Sequence, residues 1–407
     1  MQSHAIYIHI PFCIHRCAYC DFNTYAGQDA LIPRYVEALC REIQTLTDSA
    51  PQRFPVDTVY FGGGTPSLLP SEAFPRMLEV LARGFDLTSE PEITIEANPG
   101  TLSAAYLRDL RAAGVNRLSL GVQSADPQEL AFLERQHNFD EVIQSIDWAR
   151  QAGFDNLSLD LIFGLPEQRL ETWADSLSRA LKLAPQHLSL YALTIEHGTP
   201  LQARIARGLT PMPDPDLAAE MYDLARARLA AAGFVQYEIS NWALDDQPPS
   251  DTARRAPLLA CRHNLQYWRN QPYFGFGAGA HGFVGGLRTT NVLSPGAYIK
   301  RLFPASSSSS PARPAFPRTP ATISALRIDR ETEIGETMMM GLRLTREGVS
   351  RARFQARFGA DFADIFAEQI ARLLDFGLLE WVGEPEDVLR LSPRGYLLGN
   401  RVFQEFV

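Results

Sequence analysis

Three cysteines lie within eight residues near the start of the chain, in the order Cys13-Ile-His-Arg-Cys17-Ala-Tyr-Cys20. They directly follow an apolar segment, residues 5–10, that is typical of a β-strand, so we expect them on a loop at its carboxyl end. Thiolates are the preferred protein ligands of iron–sulfur clusters, and three on one short loop can hold three corners of a cubane. The fourth iron would then have no protein ligand, and such an open position favours catalysis over a structural or electron-transfer role.

The spacing alone leaves two other interpretations of these cysteines open. A structural zinc ion would need a fourth ligand, which His9 or His15 would have to supply. Alternatively, the three thiols are unpaired and buried. A disulfide framework does not fit, because the chain has five cysteines in 407 residues and Cys40 and Cys261 stand alone.

A glycine-rich segment, Gly62-Gly63-Gly64-Thr65-Pro66, follows the second predicted strand. Glycines let backbone amides and carbonyls approach a ligand closely, although a tight turn would explain the same run. The glycine run alone leaves both interpretations open, and its placement at a strand end adds weight to ligand binding.

Polar residues also occur in or directly after later predicted strands: Glu96 ends the third strand, Gln123 follows the fourth, and Asp160 lies within the fifth. A carboxylate inside a strand costs several kcal/mol unless it has a partner. Each of these residues therefore contacts a ligand or forms a salt bridge or cap. Arg135, downstream of Gln123, is a candidate partner for a carboxylate of a ligand or of Glu96.

The elements that position these residues alternate between strand and helix. We predict an α/β fold, a partial (β/α)6 barrel of parallel strands with its chemistry at their carboxyl ends. The predicted strands are residues 5–10, 58–61, 92–97, 117–121, 156–163 and 187–192. The predicted domains are a barrel core (1–240), an extension (241–300), a Ser/Pro-rich linker (301–330) and a C-terminal domain (331–407). A polar, proline-rich insertion is also predicted over residues 245–257.

The C-terminal domain is predicted to be a winged-helix-like module of three helices, a two-stranded hairpin and a closing helix. It carries nine arginines against thirteen acidic residues, so DNA binding is not expected. The whole chain has a net charge of −9 and a pI near 5.5, which does not favour nucleic acid or anionic membranes as partners. Neither a signal peptide nor a run of 18 apolar residues is apparent, so we expect a cytoplasmic protein without an integral membrane segment.

The cysteine motif after the first strand of a β/α barrel resembles the radical S-adenosylmethionine (SAM) superfamily. The resemblance extends along nearly the whole chain to the oxygen-independent coproporphyrinogen III oxidase group, through the segments YIHIPFC, CDF, FGGGTPS, IEANPG, LGVQS and DLIFGLP. It implies a [4Fe–4S] cluster on Cys13, Cys17 and Cys20 whose open iron chelates S-adenosylmethionine. In that family the reduced cluster donates an electron to the sulfonium, yielding methionine and a 5′-deoxyadenosyl radical.

The resemblance also implies roles for residues outside the cysteine motif. Gly63, Gly64 and Thr65 would bind the methionyl ammonium group, and Tyr19 would pack near the adenine, unless it only shields the cluster. Further contacts to S-adenosylmethionine are implied for Tyr7, Glu96, Gln123, Arg135 and Asp160.

The oxygen-independent coproporphyrinogen III oxidase group contains both the oxidase itself and a class of heme chaperones. The oxidase has a further cysteine two residues after the third, where this chain has Phe22, and it carries a longer segment ahead of the motif than the six residues before Tyr7. The resemblance therefore favours a heme chaperone that passes heme to an unknown acceptor protein. The alternative is radical oxidative decarboxylation of coproporphyrinogen III.

The segment His263-Asn264-Leu-Gln-Tyr267-Trp268 resembles the heme-binding signature of the chaperones. Imidazole is a common axial ligand of heme iron, and aromatic rings can line a porphyrin face. An isolated histidine is more often structural, but the combined motif favours heme contact by His263, Tyr267 and Trp268. Cys261 is either a heme contact, as a second ligand or a covalent attachment point, or a small buried thiol, which a lone cysteine favours. A homodimer would also be compatible with the sequence, since a cluster could promote dimerisation.

Overall fold

A computed structural model describes residues 3–245, 256–304, 314–383 and 387–407 of the chain. Its strands in chain order are β1 (His4–Ile10), β2 (Phe12–Cys13), β3 (Tyr25–Ala26), β4 (Pro55–Gly63), β5 (Asp86–Ala97), β6 (Arg117–Gln123), β7 (Leu157–Phe163), β8 (His187–Ala192), β9 (Phe234–Glu238), β10 (Asn241–Leu244), β11 (Tyr273–Phe276), β12 (His281–Val284), β13 (Leu287–Asn291), β14 (Thr322–Arg327), β15 (Val349–Ser350), β16 (Leu379–Val382) and β17 (Val388–Leu391).

The helices alternate with these strands through much of the chain. They are α1 (Ile32–Thr47), α2 (Ala73–Gly84), α3 (Ala104–Ala112), α4 (Pro127–Phe132), α5 (Phe139–Gln151), α6 (Leu170–Lys182), α7 (Pro200–Ala206), α8 (Pro215–Ala231), α9 (Arg262–Trp268), α10 (Pro295–Leu302), α11 (Arg330–Gly341), α12 (Arg351–Phe358), α13 (Phe362–Ile365), α14 (Ala367–Asp375) and α15 (Gly399–Phe403).

The described residues form two compact units, and the first holds the parallel strands. It comprises the described parts of Met1–Pro185, Tyr191–Met221 and Pro272–Arg327. Within it β1, β4, β5, β6 and β7 pair in parallel in that order. Helices separate β4 from β5, β5 from β6, and β6 from β7, as right-handed β/α units require. All six predicted strands are present, so the predicted α/β alternation is confirmed.

Register places polar side chains together on one face of these parallel strands. Tyr7 pairs with Tyr60, Glu96 pairs with Ser119, and Gly121 pairs with Asp160. Alternate residues of a strand share a face, so the residues between them point the other way. Those intervening positions are fully buried and apolar, including Ile6, Ile8, Val59, Phe61 and Ile95. Burial of each such side chain contributes about 1.5–3 kcal/mol, which fixes the register and with it the polar face.

On the side of β1 away from β4, the sheet contains further strands that the sequence did not predict. β1 pairs in parallel with β11, and β12, β13 and β14 follow as antiparallel neighbours. The fully buried carboxylate of Glu42 in α1 anchors this extension, accepting from the Gly277 amide, Asn291, Tyr298 and Thr319. Four donors satisfy the charge that burial would otherwise make costly.

Two predicted insertions fall largely outside the described residues. Residues 246–255 of the predicted polar insertion and residues 305–313 of the predicted linker are not described. Within the same predicted linker, the later residues Thr322–Arg327 form the edge strand β14.

The second unit comprises the described parts of Gln186–Leu190, Tyr222–Gln271 and Ile328–Val407. Its C-terminal part contains the predicted helices, α11 to α14, and a three-stranded sheet in the order β15-β17-β16. Phe354, Phe362, Leu389 and Leu391 are at the centre of its core. The first two predicted helices and the hairpin are present. The third helix, predicted over residues 362–376, is divided at Phe366 into α13 and α14, and the closing helix is shorter than predicted, since Tyr396–Leu398 is a 3-10 turn. Across the described part of the chain, no helix combines the length and apolar character needed to span a membrane.

Candidate functional site

The three cysteines lie together beyond the carboxyl end of β1, in the first unit. Cys13 ends β2, which pairs in parallel with β3, and the Cys20 amide donates to the Cys17 carbonyl at 3.1 Å. Burial raises the pKa of the Cys13 thiol, and negative charge on Cys20 and Cys17 raises it further. The three sulfurs are therefore close enough to interact electrostatically, and none of them forms a disulfide.

The glycine-rich segment at the end of β4 packs directly against Cys13. The Gly64 amide donates to the Ile10 carbonyl at 2.8 Å, and the Thr65 amide donates to the Phe12 carbonyl at 2.8 Å. A Cβ on Gly64 would lie 2.6 Å from the Phe12 carbonyl oxygen and 3.0 Å from Cys13 Sγ. Only glycine allows this approach. Thr65 Oγ1 donates to Cys13 Sγ over 3.6 Å.

The candidate fourth ligands of a zinc site are engaged elsewhere. His9 contacts the Tyr7 hydroxyl through Nδ1 at 3.0 Å and the Asn23 carbonyl through Nε2 at 2.9 Å. His15 contacts the Glu134 carboxylate at 3.0 Å. Within the described residues no three His, Cys, Asp or Glu side chains converge as ligands of a single metal ion. Both candidate fourth ligands of a zinc ion therefore already hold other polar partners.

Glu96 lies on the polar face with both carboxylate oxygens engaged. The Tyr60 hydroxyl donates to Oε1 at 2.8 Å, and the Gly63 amide donates to Oε2 at 3.0 Å. Burial raises the pKa of Glu96 to about 7, and the charge of Asp160 acts in the same direction. The group can therefore accept a hydrogen bond or hold a proton at neutral pH.

Asp160 on β7 is held by two serine hydroxyls. The Ser119 hydroxyl on β6 lies 3.1 Å from each carboxylate oxygen of Asp160, and the Ser158 hydroxyl lies 3.4 Å from Oδ1. These donors fix a carboxylate that can accept hydrogen bonds from ligand hydroxyl groups.

Gln123 occupies a strained turn at the end of β6. Its φ is +65°, and the Ser124 amide donates to the Val122 carbonyl at 2.9 Å, which defines a γ-turn. The segment that follows α4 supports this turn from the side. Arg135 Nη2 donates to the Gly121 carbonyl at 2.9 Å, and His137 Nε2 contacts the Val122 carbonyl at 3.2 Å. Such strain persists where the surroundings over-determine it, often at functional sites.

Arg135 joins the strand end to the cysteine loop. Its Nη1 lies 4.0 Å from Cys17 Sγ, and its Nε is buried without a hydrogen-bond partner among the described residues. Tyr19 packs against the apolar cluster of Leu133, Ile162 and Leu165. Burial raises the pKa of Tyr19, whereas the positive charge of Arg135 opposes that rise. An arginine with an unused buried donor beside the cysteine loop fits an anionic ligand such as a carboxylate.

Sequence reasoning missed the side chains that hold these predicted residues in place. His9 orients Tyr7, Tyr60 orients Glu96, and Ser119 orients Asp160. The available signal was polar residues two positions apart in strands whose alternate residues are apolar. The residues predicted to contact S-adenosylmethionine thus lie on β1 and β4 to β7 or on the loops that follow these strands in the first unit, and their roles as contacts to a ligand remain predictions.

The predicted heme segment lies in the second unit, where it forms α9. His263 and Tyr267 are four residues apart and so share one helix face, with His263 Nε2 3.1 Å from the Tyr267 hydroxyl. Their rings meet edge to face at 5.0 Å, and His263 is 1 % exposed. Coordination of a heme iron by Nε2 would therefore require the Tyr267 hydroxyl to move away.

Trp268 takes a different position from the His263–Tyr267 pair. Its ring packs on the cluster that includes Tyr237, Leu265 and Leu344, with the Arg343 guanidinium 4.3 Å from the ring centroid. Its indole N–H is buried without a hydrogen-bond partner among the described residues. Cys261 caps α9 and is fully buried. A small buried thiol, one of the two interpretations of Cys261, matches this placement.

The fold and the cysteine site at its strand ends define a radical SAM protein. Residues 7–180 match the family model of the Radical SAM superfamily, and residues 328–398 match that of the HemN C-terminal domain. The structure is similar to the solved coproporphyrinogen III oxidase HemN of Escherichia coli, with a TM-score of 0.80 over 100 % of this chain and 90 % of that one. At 23 % identity this likeness establishes the fold alone.

Curated relatives narrow the assignment within the superfamily. The protein "Heme chaperone HemW" of Bacillus subtilis is 38 % identical over 403 residues, which cover 98 % of each chain. HemW of Lactococcus lactis is 34 % identical over 100 % of this chain and 98 % of the relative. A mouse protein named "Radical S-adenosyl methionine domain-containing protein 1, mitochondrial" is 38 % identical over 92 % of this chain and 81 % of its own length. The chain belongs to the HemW family.

Proposed function

We propose that this protein is a heme chaperone that receives heme and passes it to an acceptor protein. The observation that carries the proposal is its similarity to proteins named heme chaperone HemW across 98 % of both chains. The likeness to the oxidase is by contrast one of fold at 23 % identity.

In this proposal Cys13, Cys17 and Cys20 hold a [4Fe–4S] cluster and S-adenosylmethionine binds beside it. When bound, the cluster supplies an open iron that can coordinate the amino and carboxylate groups of S-adenosylmethionine. The grouped thiols, the close approach of Gly64 and the unused buried donor of Arg135 support this assignment.

The remaining polar residues would orient S-adenosylmethionine on the strand ends. Glu96 and Asp160 are fixed acceptors for ligand N–H and O–H groups, and the backbone carbonyls near Gly63, Gly64 and Thr65 suit an ammonium group. Tyr7 on β1 and Gln123 at the end of β6 would be further contacts.

Phe22 supports the chaperone over the oxidase. It stands where the oxidase carries its additional cysteine, and its side chain is 62 % exposed beside the cysteine loop. A phenyl group cannot ligate a metal, so a chemistry that depends on a thiol at this position is lost.

Heme would bind through α9, with His263 as the axial ligand and Tyr267 and Trp268 against the porphyrin. A neutral imidazole suits heme iron, and release of the Tyr267 hydroxyl would free His263 Nε2. Heme is in this role the cargo of the protein and not a resident cofactor.

Titration of the purified protein with hemin tests the proposal. Wild type should give a saturable Soret shift, His263→Ala should lose it, and His197→Ala, on an exposed turn, should behave like wild type. Absence of a Soret shift in wild type, or an unchanged shift in His263→Ala, would contradict heme binding at α9.

An anaerobic assay separates the chaperone from the oxidase. The reconstituted protein, supplied with reductant, S-adenosylmethionine and coproporphyrinogen III, should form no protoporphyrinogen. Formation of protoporphyrinogen would replace the proposed chaperone role with radical decarboxylation.

A further inference from the structure

Thr24 lies between two tightly anchored residues beside the cysteines. The Asn23 side chain donates to the Ala278 and Leu293 carbonyls at 3.1 and 3.0 Å. The Asn23 carbonyl accepts from His9 at 2.9 Å. On the other side the Tyr25 amide donates to the Pro11 carbonyl at 2.7 Å. The backbone at Thr24 is therefore fixed from both directions.

The pairing of β2 with β3 places Thr24 next to the first cysteine. Phe12 pairs with Tyr25 and Cys13 pairs with Ala26, so Thr24 immediately precedes the strand that flanks Cys13. Its side chain is 5 % exposed, and its hydroxyl oxygen is buried without a hydrogen-bond partner among the described residues. A buried hydroxyl requires an acceptor, and the nearby cysteine sulfurs can provide one.

The strand pairing also places Thr24 on the same face as Cys13, because side chains alternate along a strand and Thr24 lies two residues before Ala26, the partner of Cys13. Thr65 reaches Cys13 from the opposite strand end, with Oγ1 3.6 Å from Sγ. Two threonine hydroxyls thus lie at the segment that carries Cys13, and neither placement follows from the cysteine motif itself.

We propose that Thr24 and Thr65 donate hydrogen bonds to the cysteine sulfurs of the cluster and thereby raise its reduction potential. The inference rests on the cluster ligation in the proposed function. A hydrogen bond to a ligating sulfur withdraws electron density and stabilises the reduced cluster, which carries one more negative charge. Thr24 and Thr65 are therefore positioning residues, because they change the reduction potential of the cluster through its cysteine ligands.

The test is the reduction potential of the reconstituted cluster, measured by potentiometric titration followed by EPR. Thr24→Val removes the hydroxyl at nearly constant shape and should shift the potential to more negative values. Thr65→Val should shift it in the same direction, and the double variant should shift it further. Thr24→Ser keeps the hydroxyl and should restore the wild-type potential, while Thr58→Val, a buried strand threonine, is the matched control.

Resonance Raman spectra of the oxidised cluster provide a second readout. In deuterated buffer the iron–cysteine sulfur bands of wild type should shift, and part of that shift should disappear in Thr24→Val. If Thr24→Val assembles no cluster, Thr65→Val and Thr24→Ser still decide the proposal through their potentials.

The outcomes separate this inference from the proposed ligation. Wild-type potentials and deuterium shifts in both valine variants, with full iron content, would overturn the roles of Thr24 and Thr65. A wild-type protein that assembles no cluster, or one that keeps its cluster in Cys17→Ala, would instead contradict the ligation by Cys13, Cys17 and Cys20.

Discussion

Glu96 is the residue of the site whose protonation changes near neutral pH. Burial raises its pKa to about 7, the charge of Asp160 adds to that rise, and the Tyr60 and Gly63 donors oppose it. Unfolded glutamates titrate at about pH 4.3, so the folded protein binds this proton more tightly than the unfolded chain. The proton therefore stabilises the fold fully below about pH 4.3, and its contribution is lost as the pH rises through about 7.

We predict that Glu96→Gln removes this pH dependence. As the pH falls from about 7 to about 4.3, the free energy of unfolding of wild type should rise relative to that of Glu96→Gln. Urea titrations of ligand-free protein across this range measure the difference. Glu90→Gln, an exposed change on the same strand, is the control. A difference between wild type and Glu96→Gln that stays constant over this range would contradict the shifted pKa of Glu96.

Also at the residue scale, the sequence predicted the groups that would contact a ligand but missed their supports. Cysteine spacing and carboxylates at strand ends are local signals that a single chain displays. Tyr60 and Ser119 acquire meaning only through their contacts to Glu96 and Asp160 across neighbouring strands. Such partners depend on register, which a single sequence does not specify residue by residue.

The glycine-rich segment after β4 is the element that brings Cys13 against the neighbouring strand end. A Cβ on Gly64 would lie 2.6 Å from the Phe12 carbonyl oxygen, so Gly64→Ala must displace the segment that carries Cys13. We predict reduced iron content and reduced absorbance at roughly 400 nm after reconstitution, as expected when a thiolate ligand is misplaced. Gly100→Ala is the matched control, because its Cβ would have 3.7 Å to the nearest atom. Wild-type iron content in Gly64→Ala would show that the close packing is dispensable.

The γ-turn at Gln123 is the second element whose geometry depends on a distant segment. His137 contacts the Val122 carbonyl, and burial lowers the pKa of His137 to about 4, with Arg135 acting in the same direction. The imidazole is thus neutral at pH 7. Its contribution is present above about pH 6.5 and is lost as the pH falls toward about 4.

We predict that His137→Ala lowers the free energy of unfolding by about 1–3 kcal/mol at pH 7, since a buried hydrogen bond is lost. The cost should shrink as the pH falls below about 6.5. Binding of S-adenosylmethionine, measured by calorimetry, should weaken because Gln123 is less firmly held. His197→Ala, on an exposed turn, is the control. Unchanged stability and unchanged binding in His137→Ala would contradict a role of His137 in supporting the turn.

At the scale of the whole molecule, the parallel part of the sheet was predictable and its antiparallel continuation was not. Alternation of apolar strands with amphipathic helices is a long pattern that permits few topologies. The strands β11 to β13 are only four or five residues long. In addition, β11 pairs with β1, a strand that is distant from it in the sequence, with Tyr273 opposite Ala5. Short strands with distant partners carry little periodic signal. His263 was recognisable from its motif, but its burial against Tyr267 was not.

The cysteines and α9 belong to different compact units. We therefore predict that the cluster and heme can each be lost without loss of the other. Cys17→Ala should lose the iron–sulfur absorbance at roughly 400 nm, because one thiolate ligand is removed. Its hemin affinity should stay within about twofold of wild type, which is about 0.4 kcal/mol. His263→Ala should show the converse, with full iron content and loss of the Soret shift. If Cys17→Ala weakens hemin binding as strongly as His263→Ala does, heme binding depends on the cysteine site, and α9 alone does not form the heme site.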